Sequence, residues 1–263
     1  MGLAAAFFDL DKTIIAKSST LAFGRPFFDS GLLNRRSVMK STYAQLVFMV
    51  SGADAEQMER MRKHVNAMCT GWDVAQVHDI VHETLHEIMD PLVYDEAAEL
   101  IEAHRGEGRE VVVVSSSGLE VVGPIGEMVG ADHVIATRMV VDEGKYTGEI
   151  DYYAYGPNKA AAIIDLAVER GYDLADCYAY SDSITDLSML EVVGHPTAVN
   201  ADRTLRKIAL DRGWPVLMFT KPVALRSRFG SRRTPAVAGA AIGIGAAVAG
   251  IAWYAARRRD RPA

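Results

Sequence analysis

The sequence predicts an α/β fold built on a doubly wound, mostly parallel sheet. Two observations lead to this prediction. The apolar run Leu3–Phe8 is typical of a buried strand, and from Tyr94 to Phe219 short β-prone runs alternate with helical patterns. Between them, residues 17–90 contain no strong strand signal. We therefore expect a catalytic core of residues 1–16 and 91–220, with residues 17–90 inserted after the first strand as a helical cap.

Three helices are expected in the inserted block, over Asn34–Ser51, Asp54–Thr70 and Asp73–Asp90. Each begins at an Asn or Asp, which are favoured N-cap residues, and Pro91 ends the third helix. A helical block at this point of the chain would form a lid over one edge of the sheet.

After the block, the predicted elements alternate. Strands are expected over Glu110–Val114, His133–Ala136, Cys177–Tyr180, Thr197–Asn200 and Pro215–Phe219, with a hairpin across Arg138–Asp151. Helices are expected over Tyr94–Arg105, over the residues that lead to Val129, and over Pro157–Arg170, Ile184–Val193 and Asp202–Arg212. Strands that alternate with helices imply parallel strand pairing.

Two carboxylates, Asp9 and Asp11, follow the first predicted strand, with Thr13 beside them. In open α/β folds, ligands bind at the carboxyl ends of the strands. Two carboxylates held close together repel each other, and a hard divalent cation such as Mg²⁺ would remove that cost. Asp9 is therefore a candidate nucleophile and metal ligand, and Asp11 a candidate proton carrier. A turn rich in Asp and Thr is the structural alternative.

Other strand ends also present polar groups. Ser115 and Ser116 follow the second core strand, where hydroxyl and backbone N–H groups at a helix start would suit a phosphate. Lys159 lies in the first turn of a helix, where the helix dipole disfavours a cation unless it neutralises an anion. Asp182 and Asp186 flank a strand-to-helix turn and could complete a cation site. Each residue has a structural alternative, but their joint order along one sheet edge indicates a site.

This joint pattern resembles the haloacid dehalogenase superfamily, in its phosphoserine-phosphatase-like branch (subfamily IB). The matching segments are DLDKT at Asp9–Thr13, VVVVSSSG at Val111–Gly118, GPNKA around Lys159 and SDSITDLSML at Ser181–Leu190. The resemblance covers roughly residues 4–218 and implies a Rossmann-like core with an inserted cap.

The resemblance also implies a mechanism. Asp9 would attack phosphorus and form an aspartyl-phosphate, while Asp11 would protonate the leaving oxygen and then activate water. Lys159 would neutralise the charge on the phosphoryl group and on Asp9.

The resemblance further implies which groups bind the substrate and the metal. Thr13, Ser115 and Ser116 would hold the phosphoryl oxygens. Mg²⁺ would be bound by Asp9, by the backbone carbonyl of Asp11, by Asp182 and, in support, by Asp186.

The sequence departs from phosphoserine phosphatases at several positions. They usually have DxDST and a glutamate seven residues after the second Asp, whereas Lys12 and Ser18 stand at these positions here. Ser116 replaces a glycine, and Ser181 and Thr185 replace Gly and Asn. The core chemistry is retained, but the groups that would bind phosphoserine differ. DKT is also similar to the nucleophile loop of P-type ATPases, but Asp9 would then have no role.

The third predicted cap helix carries His78, His82 and His86 on one face. Histidines at this spacing can bind a transition metal. We interpret them instead as a polar helix face.

The charge of the chain is divided unevenly. From residue 221 onward there are nine Lys or Arg and one acidic residue, which give +8, and the rest of the chain carries −14. An acidic body argues against a nucleic-acid partner, whereas the basic end favours an anionic membrane surface. The two cysteines, Cys69 and Cys177, suggest no disulfide framework, and the N-terminus leaves no room for a signal peptide.

Residues 234–256 contain no charged side chain, and 23 residues are enough to span a bilayer as a helix. We expect a basic linker over 221–233, a transmembrane helix over 234–256 and a basic tail over 257–263. Gly239 and Gly243 form a GxxxG pair that would permit close helix approach, and hence a homodimer.

These observations predict a Mg²⁺-dependent phosphatase, tethered to a membrane by a single helix with its catalytic domain in the cytoplasm. Its substrate would be a small or lipid-linked phosphomonoester. One alternative is a phosphoserine phosphatase of serine biosynthesis. An alternative of another class is a catalytically idle membrane scaffold.

Overall fold

The computed structural model describes residues 3–33 and 67–220. In this part of the chain, seven strands form one sheet in the order β4-β3-β2-β1-β5-β6-β7. The strands are β1 (Ala5–Asp9), β2 (Glu110–Gly118), β3 (His133–Asp142), β4 (Lys145–Tyr152), β5 (Tyr178–Ser181), β6 (His195–Val199) and β7 (Val216–Leu217). All neighbouring strands are parallel except β3 and β4, which form an antiparallel hairpin at one edge. The predicted α/β fold with a mostly parallel sheet is confirmed.

The α-helices of the described residues connect these strands. They are α1 (Ser19–Ala22), α2 (Gly24–Asp29), α3 (Val74–Met89), α4 (Asp95–Gly106), α5 (Leu119–Val129), α6 (Pro157–Arg170), α7 (Leu187–Glu191) and α8 (Arg203–Asp211). Two 3₁₀ turns, Leu174–Asp176 and Ile184–Asp186, precede β5 and α7.

Strand β1 lies in the middle of the sheet, and all five of its residues are buried. It pairs with β2 on one side and with β5 on the other. Phe8 belongs to the core beneath α3 and α4, and Phe7 to the core beneath α6 and α8. A strand covered on both faces needs a continuous apolar run, which is the pattern that predicted it.

Helix α3 belongs to the helical block between β1 and β2, and one face of this helix is buried. Its buried residues, Val77, Val81, Leu85 and Met89, recur at helical spacing and belong to the same core as Phe8. The predicted helix Asp73–Asp90 is therefore confirmed, and its N-cap is formed as expected because Oδ1 of Asp73 accepts a hydrogen bond from the backbone N–H of Gln76 at 3.0 Å. The predicted helix Asn34–Ser51 and most of the predicted helix Asp54–Thr70 lie outside the described residues.

Two elements differ from their predicted form. The short strand His133–Ala136 and the first half of the hairpin are one continuous strand, β3, which turns at Glu143 and Gly144. Both turn residues have positive φ, of 45° and 77°, as a tight two-residue hairpin requires. The helix expected from Ile184 begins as a 3₁₀ turn, because the Ser183 hydroxyl accepts the backbone N–H of Thr185 at 3.3 Å and tightens the chain there.

Among residues 3–33 and 67–220, no helix is long and apolar enough to cross a bilayer. The segments predicted as a basic linker (221–233), a transmembrane helix (234–256) and a basic tail (257–263) lie outside the described residues, so the structure gives the membrane prediction no support.

Candidate active site

A cavity of about 120 Å³ opens at the carboxyl ends of β1 and β5. It is lined by six of the eight residues that the sequence indicated for the site: Asp9, Asp11, Ser116, Lys159, Asp182 and Asp186. These residues come from three strand ends, one 3₁₀ turn and the first turn of α6. The sheet brings them together because β1, β2 and β5 are parallel and end at the same edge.

Lys159 is the central cation of the cavity, and only 2% of its surface is exposed. Its Nζ donates to Oδ1 of Asp9 at 2.7 Å and to Oδ2 of Asp186 at 2.8 Å. The hydroxyl of Ser181 donates to the same Oδ2 of Asp186 at 2.7 Å. Asp186 and Ser181 therefore hold the ammonium group of Lys159 against Asp9.

Burial sets the protonation of these groups. It raises the pKa of Asp9, the ammonium of Lys159 offsets part of that rise, and the carboxylates of Asp186 and Asp182 add to it. Burial alone would lower the pKa of Lys159, but the two carboxylates beside it outweigh that effect and raise it, so the lysine stays charged.

Asp182 faces a second lysine. Oδ2 of Asp182 lies 3.6 Å from Nζ of Lys12. Burial raises the pKa of Asp182 to about 6, although Lys12 counteracts the rise. With all groups ionised, the four carboxylates that line the cavity outnumber its two ammonium groups, which leaves a formal charge of −2. A divalent cation would balance that charge.

The donor set fits Mg²⁺. Within the described residues, no group of three or more Asp, Glu, His or Cys side chains is placed to enclose a metal ion. Mg²⁺ commonly takes only one or two protein carboxylates and completes its shell with water and substrate phosphate. Asp9 and Asp182 can supply two carboxylates, and the backbone carbonyl of Asp11 a third oxygen. Asp186 is bonded to Lys159 and Ser181, so its predicted role as a supporting ligand stays a prediction.

The carboxyl group of Asp11 is held by the first residue of α1. The backbone N–H of Ser19 donates to Oδ1 of Asp11 at 2.8 Å. The Ser19 hydroxyl donates to the hydroxyl of Ser117 at 2.9 Å, which ties this contact to the end of β2. Burial raises the pKa of Asp11, against the effect of these hydrogen bonds. A positioned carboxyl group with a raised pKa suits proton transfer.

Thr13 and Ser115, which the sequence also indicated, do not line the cavity. Both are buried, and the Ser115 hydroxyl accepts the backbone N–H of Ser117 at 3.2 Å. The Thr13 hydroxyl has no hydrogen-bond partner among the described residues. The pairing of β2 with β3 becomes irregular after Ser115, and Ser116 rather than Ser115 reaches the cavity wall. That Thr13 and Ser115 hold phosphoryl oxygens stays a prediction.

Four further residues line the cavity: Lys12, Tyr155, Ser183 and Thr185. In the sequence, Lys12 and Thr185 stand out only as departures from a motif, and Tyr155 and Ser183 were not predicted as site residues. Ser183 adjoins Asp182, so its position after β5 was a usable signal. Tyr155 lies just before α6 and stacks on Tyr153, with ring centroids 5.3 Å apart, and no local pattern pointed to it.

The three histidines of α3 lie away from this cavity. The rings of His78 and His82 have centroids 4.2 Å apart, and Nδ1 of His86 lies 3.1 Å from Oδ1 of Asp90. Their rings are largely exposed, and they belong to no metal-binding group among the described residues. This arrangement agrees with a polar helix face.

Comparisons with known proteins point to one family. Residues 6–191 match the family of haloacid dehalogenase-like hydrolases. A probable phosphatase of Mycobacterium tuberculosis is 63% identical over 256 residues, which cover 97% of this chain and 89% of that protein. A phosphoserine phosphatase of the same organism is 31% identical over 260 residues, which cover 98% of this chain and 82% of that protein.

The fold is also similar to that of solved structures. One is a phospho-aspartyl intermediate analogue of a phosphoserine phosphatase, with a TM-score of 0.60 and 22% identity. The match covers 86% of this chain and 97% of that one. At this identity the likeness concerns the fold alone.

Proposed function

Because this chain belongs to the haloacid dehalogenase-like hydrolases and is a phosphatase of that family, we propose that it hydrolyses phosphomonoesters in a Mg²⁺-dependent reaction through an aspartyl-phosphate on Asp9. The observation that carries this proposal is the contact of Lys159 with both Asp9 and Asp186, with Asp11 on the wall of the same cavity. This arrangement pairs a carboxylate nucleophile with a fixed cation and a proton carrier.

In the first half-reaction, a carboxylate oxygen of Asp9 attacks phosphorus and the bond to the leaving oxygen breaks. The ammonium of Lys159 offsets the negative charge that three phosphoryl oxygens and Asp9 bring together. Asp11, whose pKa is raised by burial, gives its proton to the leaving oxygen, so the alcohol departs neutral.

In the second half-reaction, the carboxylate of Asp11 takes a proton from water as that water attacks phosphorus. The acyl phosphate bond to Asp9 breaks, inorganic phosphate leaves and both carboxyl groups return to their starting state. Ser19 keeps Asp11 in place for both steps through its backbone N–H.

Asp9, Asp182 and the backbone carbonyl of Asp11 would hold Mg²⁺, with Asp186 in support. The ion would supply charge neutralisation and orientation of the phosphoryl group. The excess negative charge of the cavity and the burial of the Asp9 and Asp182 carboxylates support a cation there.

We propose a small or lipid-linked phosphomonoester as substrate. A cavity of about 120 Å³ can take a phosphoryl group, and the rest of the substrate would extend towards its opening. A phosphoserine phosphatase is the second candidate, favoured by the 31% identical relative of that name. Against this candidate, Ser18 stands near Asp11 at the position where phosphoserine phosphatases usually have a glutamate. A serine there supplies no carboxylate that could pair with a substrate amine.

Two proposals rest on the sequence alone. Residues 17–90 would act as a cap over the cavity, and residues 234–256 would tether the protein to a membrane, where lipid-linked phosphates lie. The tether is tested by separating membranes from cell extract, with the full chain compared with a chain that ends at residue 220. Equal recovery of both chains in the aqueous fraction would exclude it.

The activity is tested by phosphate release from the purified full chain, with Mg²⁺ or with EDTA. Phosphoserine, glycerol 3-phosphate and lysophosphatidic acid serve as substrates. We expect Mg²⁺-dependent release that Asp9→Asn abolishes and that Asp29→Asn, on the exposed end of α2, leaves unchanged. Release by Asp9→Asn at the wild-type rate would exclude the mechanism. No release from any of these substrates, together with an unchanged cellular role for Asp9→Asn, would favour the scaffold.

A further inference from the structure

We propose that Lys12 forms a second anion-binding subsite, so that the preferred substrate is a phosphomonoester with another negative group, a carboxylate or a second phosphate, near the ester. This inference rests on the proposed function and narrows its substrate class.

The two lysines of the cavity differ in how their ammonium groups are bonded. Within the described residues that line the cavity, Lys12 and Lys159 carry the positive charges. The ammonium of Lys159 makes hydrogen bonds of 2.7 and 2.8 Å to two buried carboxylates. That of Lys12 lies 3.6 Å from its nearest carboxylate, beyond hydrogen-bond distance, and the side chain is 66% exposed. Lys12 therefore has donors that an incoming anion can use.

The backbone of Lys12 is strained and anchored. Lys12 has a φ of 64°, in the left-handed region that usually requires glycine or asparagine. Its N–H donates to the carbonyl of Ile15 at 2.6 Å, and its carbonyl accepts from Nδ2 of Asn200 at 3.3 Å. The strained backbone is thus anchored on both sides, which fixes the direction in which the side chain leaves the main chain. Strain of this kind concentrates at functional sites.

A cation bound in the cavity would also act on Lys12. Asp182 is a proposed ligand of Mg²⁺ and is also the carboxylate that faces Lys12. A divalent ion on Asp182 would repel the ammonium group of Lys12. It would weaken the exposed ion pair of Lys12 with Asp182, which contributes little free energy even without the ion. Lys12 would then lie at the cavity mouth as an unpaired positive charge beside the bound phosphoryl group.

The site thereby separates two tasks. Lys159, held rigidly by Asp9 and Asp186, neutralises the phosphoryl group that is transferred. Lys12, whose side chain is exposed, recognises a negative group on the part that leaves. A substrate with only one anionic group would use the first lysine and not the second.

The test compares pairs of substrates that differ in one anionic group. 2-Phosphoglycolate and ethyl phosphate differ by a carboxylate in place of a methyl group. 1,3-Propanediol bisphosphate and propyl phosphate differ by a second phosphate. For the full chain with Mg²⁺, we expect kcat/KM to be about 10-fold or more higher for at least one of the substrates with two anionic groups than for its partner, through KM. The pair that shows the larger ratio identifies the second group as carboxylate or phosphate.

Lys12→Gln should bring that ratio close to 1 through KM, with kcat little changed. Lys12→Arg keeps the positive charge and should retain most of the kcat/KM ratio. Lys17→Gln changes an exposed lysine nearby and should retain the whole ratio. Lys12→Gly removes the side chain and suits the positive φ, so it should fold at least as stably as the wild type and still lose the preference.

If the kcat/KM ratio within a pair is the same in the wild type and in Lys12→Gln, the inference is overturned. It is also overturned if Lys12→Gln lowers kcat/KM equally for both substrates of each pair. If the wild type hydrolyses none of these esters, the proposed activity fails for these substrates. The inference about Lys12 is then tested by measuring how tightly the same compounds bind. Calorimetry in Mg²⁺ should then show tighter binding of 2-phosphoglycolate or the bisphosphate than of its partner, and the difference should be lost in Lys12→Gln. Equal binding within both pairs would overturn it.

Discussion

The ammonium of Lys159 lies 2.7 Å from Oδ1 of Asp9, although the two residues are 150 positions apart in the chain. Both side chains are more than 90% buried, so the pair joins the end of β1 to the start of α6 in a region that water hardly reaches. An ion pair in such a place is costly to break, because the remaining partner keeps its charge without a counter-ion.

Lys159→Met should therefore damage stability as well as activity. It leaves the carboxylates of Asp9 and Asp186 buried without their shared cation, and we expect a loss of about 3–5 kcal/mol in the free energy of unfolding at pH 7. The loss should shrink at acidic pH, where the carboxylates are protonated, and phosphate release should fall at least about 100-fold. Urea unfolding at pH 7 and pH 5 measures this. Lys145→Met, at an exposed position of β4, is the control, and equal stability of the two variants would refute the argument.

Asp182→Asn should stabilise the protein at neutral pH. Burial raises the pKa of Asp182 to about 6, so the folded state binds a proton at pH values where the unfolded chain, with an ordinary pKa near 3.8, has released it. The contribution of this group to stability therefore falls as the pH rises from about 3.8 to about 6. We expect Asp182→Asn to gain up to about 3 kcal/mol above pH 6 and almost nothing below pH 3.8.

Thermal unfolding across this pH range checks the gain, with the exposed Asp165→Asn as control. Added Mg²⁺ should raise the melting temperature of the wild type at pH 7.5 more than that of Asp182→Asn. A variant that is less stable than the wild type at every pH would contradict the prediction.

His104 should contribute to the acid sensitivity of the fold. Burial, and then the charge of Arg109, lower the pKa of this imidazole to about 4. Nε of Arg109 donates to its Nδ1 at 2.7 Å, so Nδ1 is unprotonated and Nε2 donates to the hydroxyl of Tyr180 at 2.7 Å. Because the unfolded chain takes up the proton near pH 6.5, the stability from this group is complete above that pH and is lost as the pH falls towards 4.

We expect that loss to be up to about 3 kcal/mol, because the imidazole is buried. His104→Gln should be less stable than the wild type at pH 7.5, and its stability should change less between pH 6.5 and pH 4. His82→Gln, on the exposed face of α3, should follow the wild-type curve. Parallel curves for all three proteins would show that His104 is not the group responsible.

Gly194 lies where the chain packs against another backbone segment. A Cβ at this position would fall 1.8 Å from the carbonyl oxygen of Ala175, and a backbone atom cannot move aside cheaply. We expect Gly194→Ala to lose more than about 3 kcal/mol or to fail to fold. Gly123→Ala, in α5 with open space around it, should instead gain about 0.5–1 kcal/mol because alanine favours the helix. Denaturant unfolding of both variants checks the contrast.

Local signals were enough to predict several elements. The bounds of α6 agree with the prediction because Pro157 lies at its first turn and Gly171 ends it with a φ of 73°. The buried runs of β1 and β2 predicted parallel strands because both faces of such strands are covered. The side chains around Lys159 could be predicted as site residues because each one follows the end of a strand or lies at the start of a helix.

Local signals could not determine which of two adjacent serines reaches the cavity. Ser115 and Ser116 are chemically equal, and the irregular pairing of β2 with β3 after Ser115 decides between them. The position of Tyr155 in the cavity wall likewise depends on the path of the chain after the β3–β4 hairpin. The positive φ of Lys12 is set by contacts with Ile15 and with Asn200, which lies far away in sequence. Such features depend on tertiary contacts and leave no periodic pattern.

The central position of β1 has a consequence for how this chain reaches its native state. Ala5 pairs with Glu110, and Ala6 pairs with Tyr178, so the innermost strand precedes both of its partners by more than a hundred residues. During synthesis, Phe7 and Phe8 must wait until β5 has left the ribosome before both edges of their strand are paired. Contacts of such long sequence separation slow folding and leave apolar strand edges open to aggregation. Nascent chains of this protein should therefore depend on chaperones until the second half of the sheet has been made.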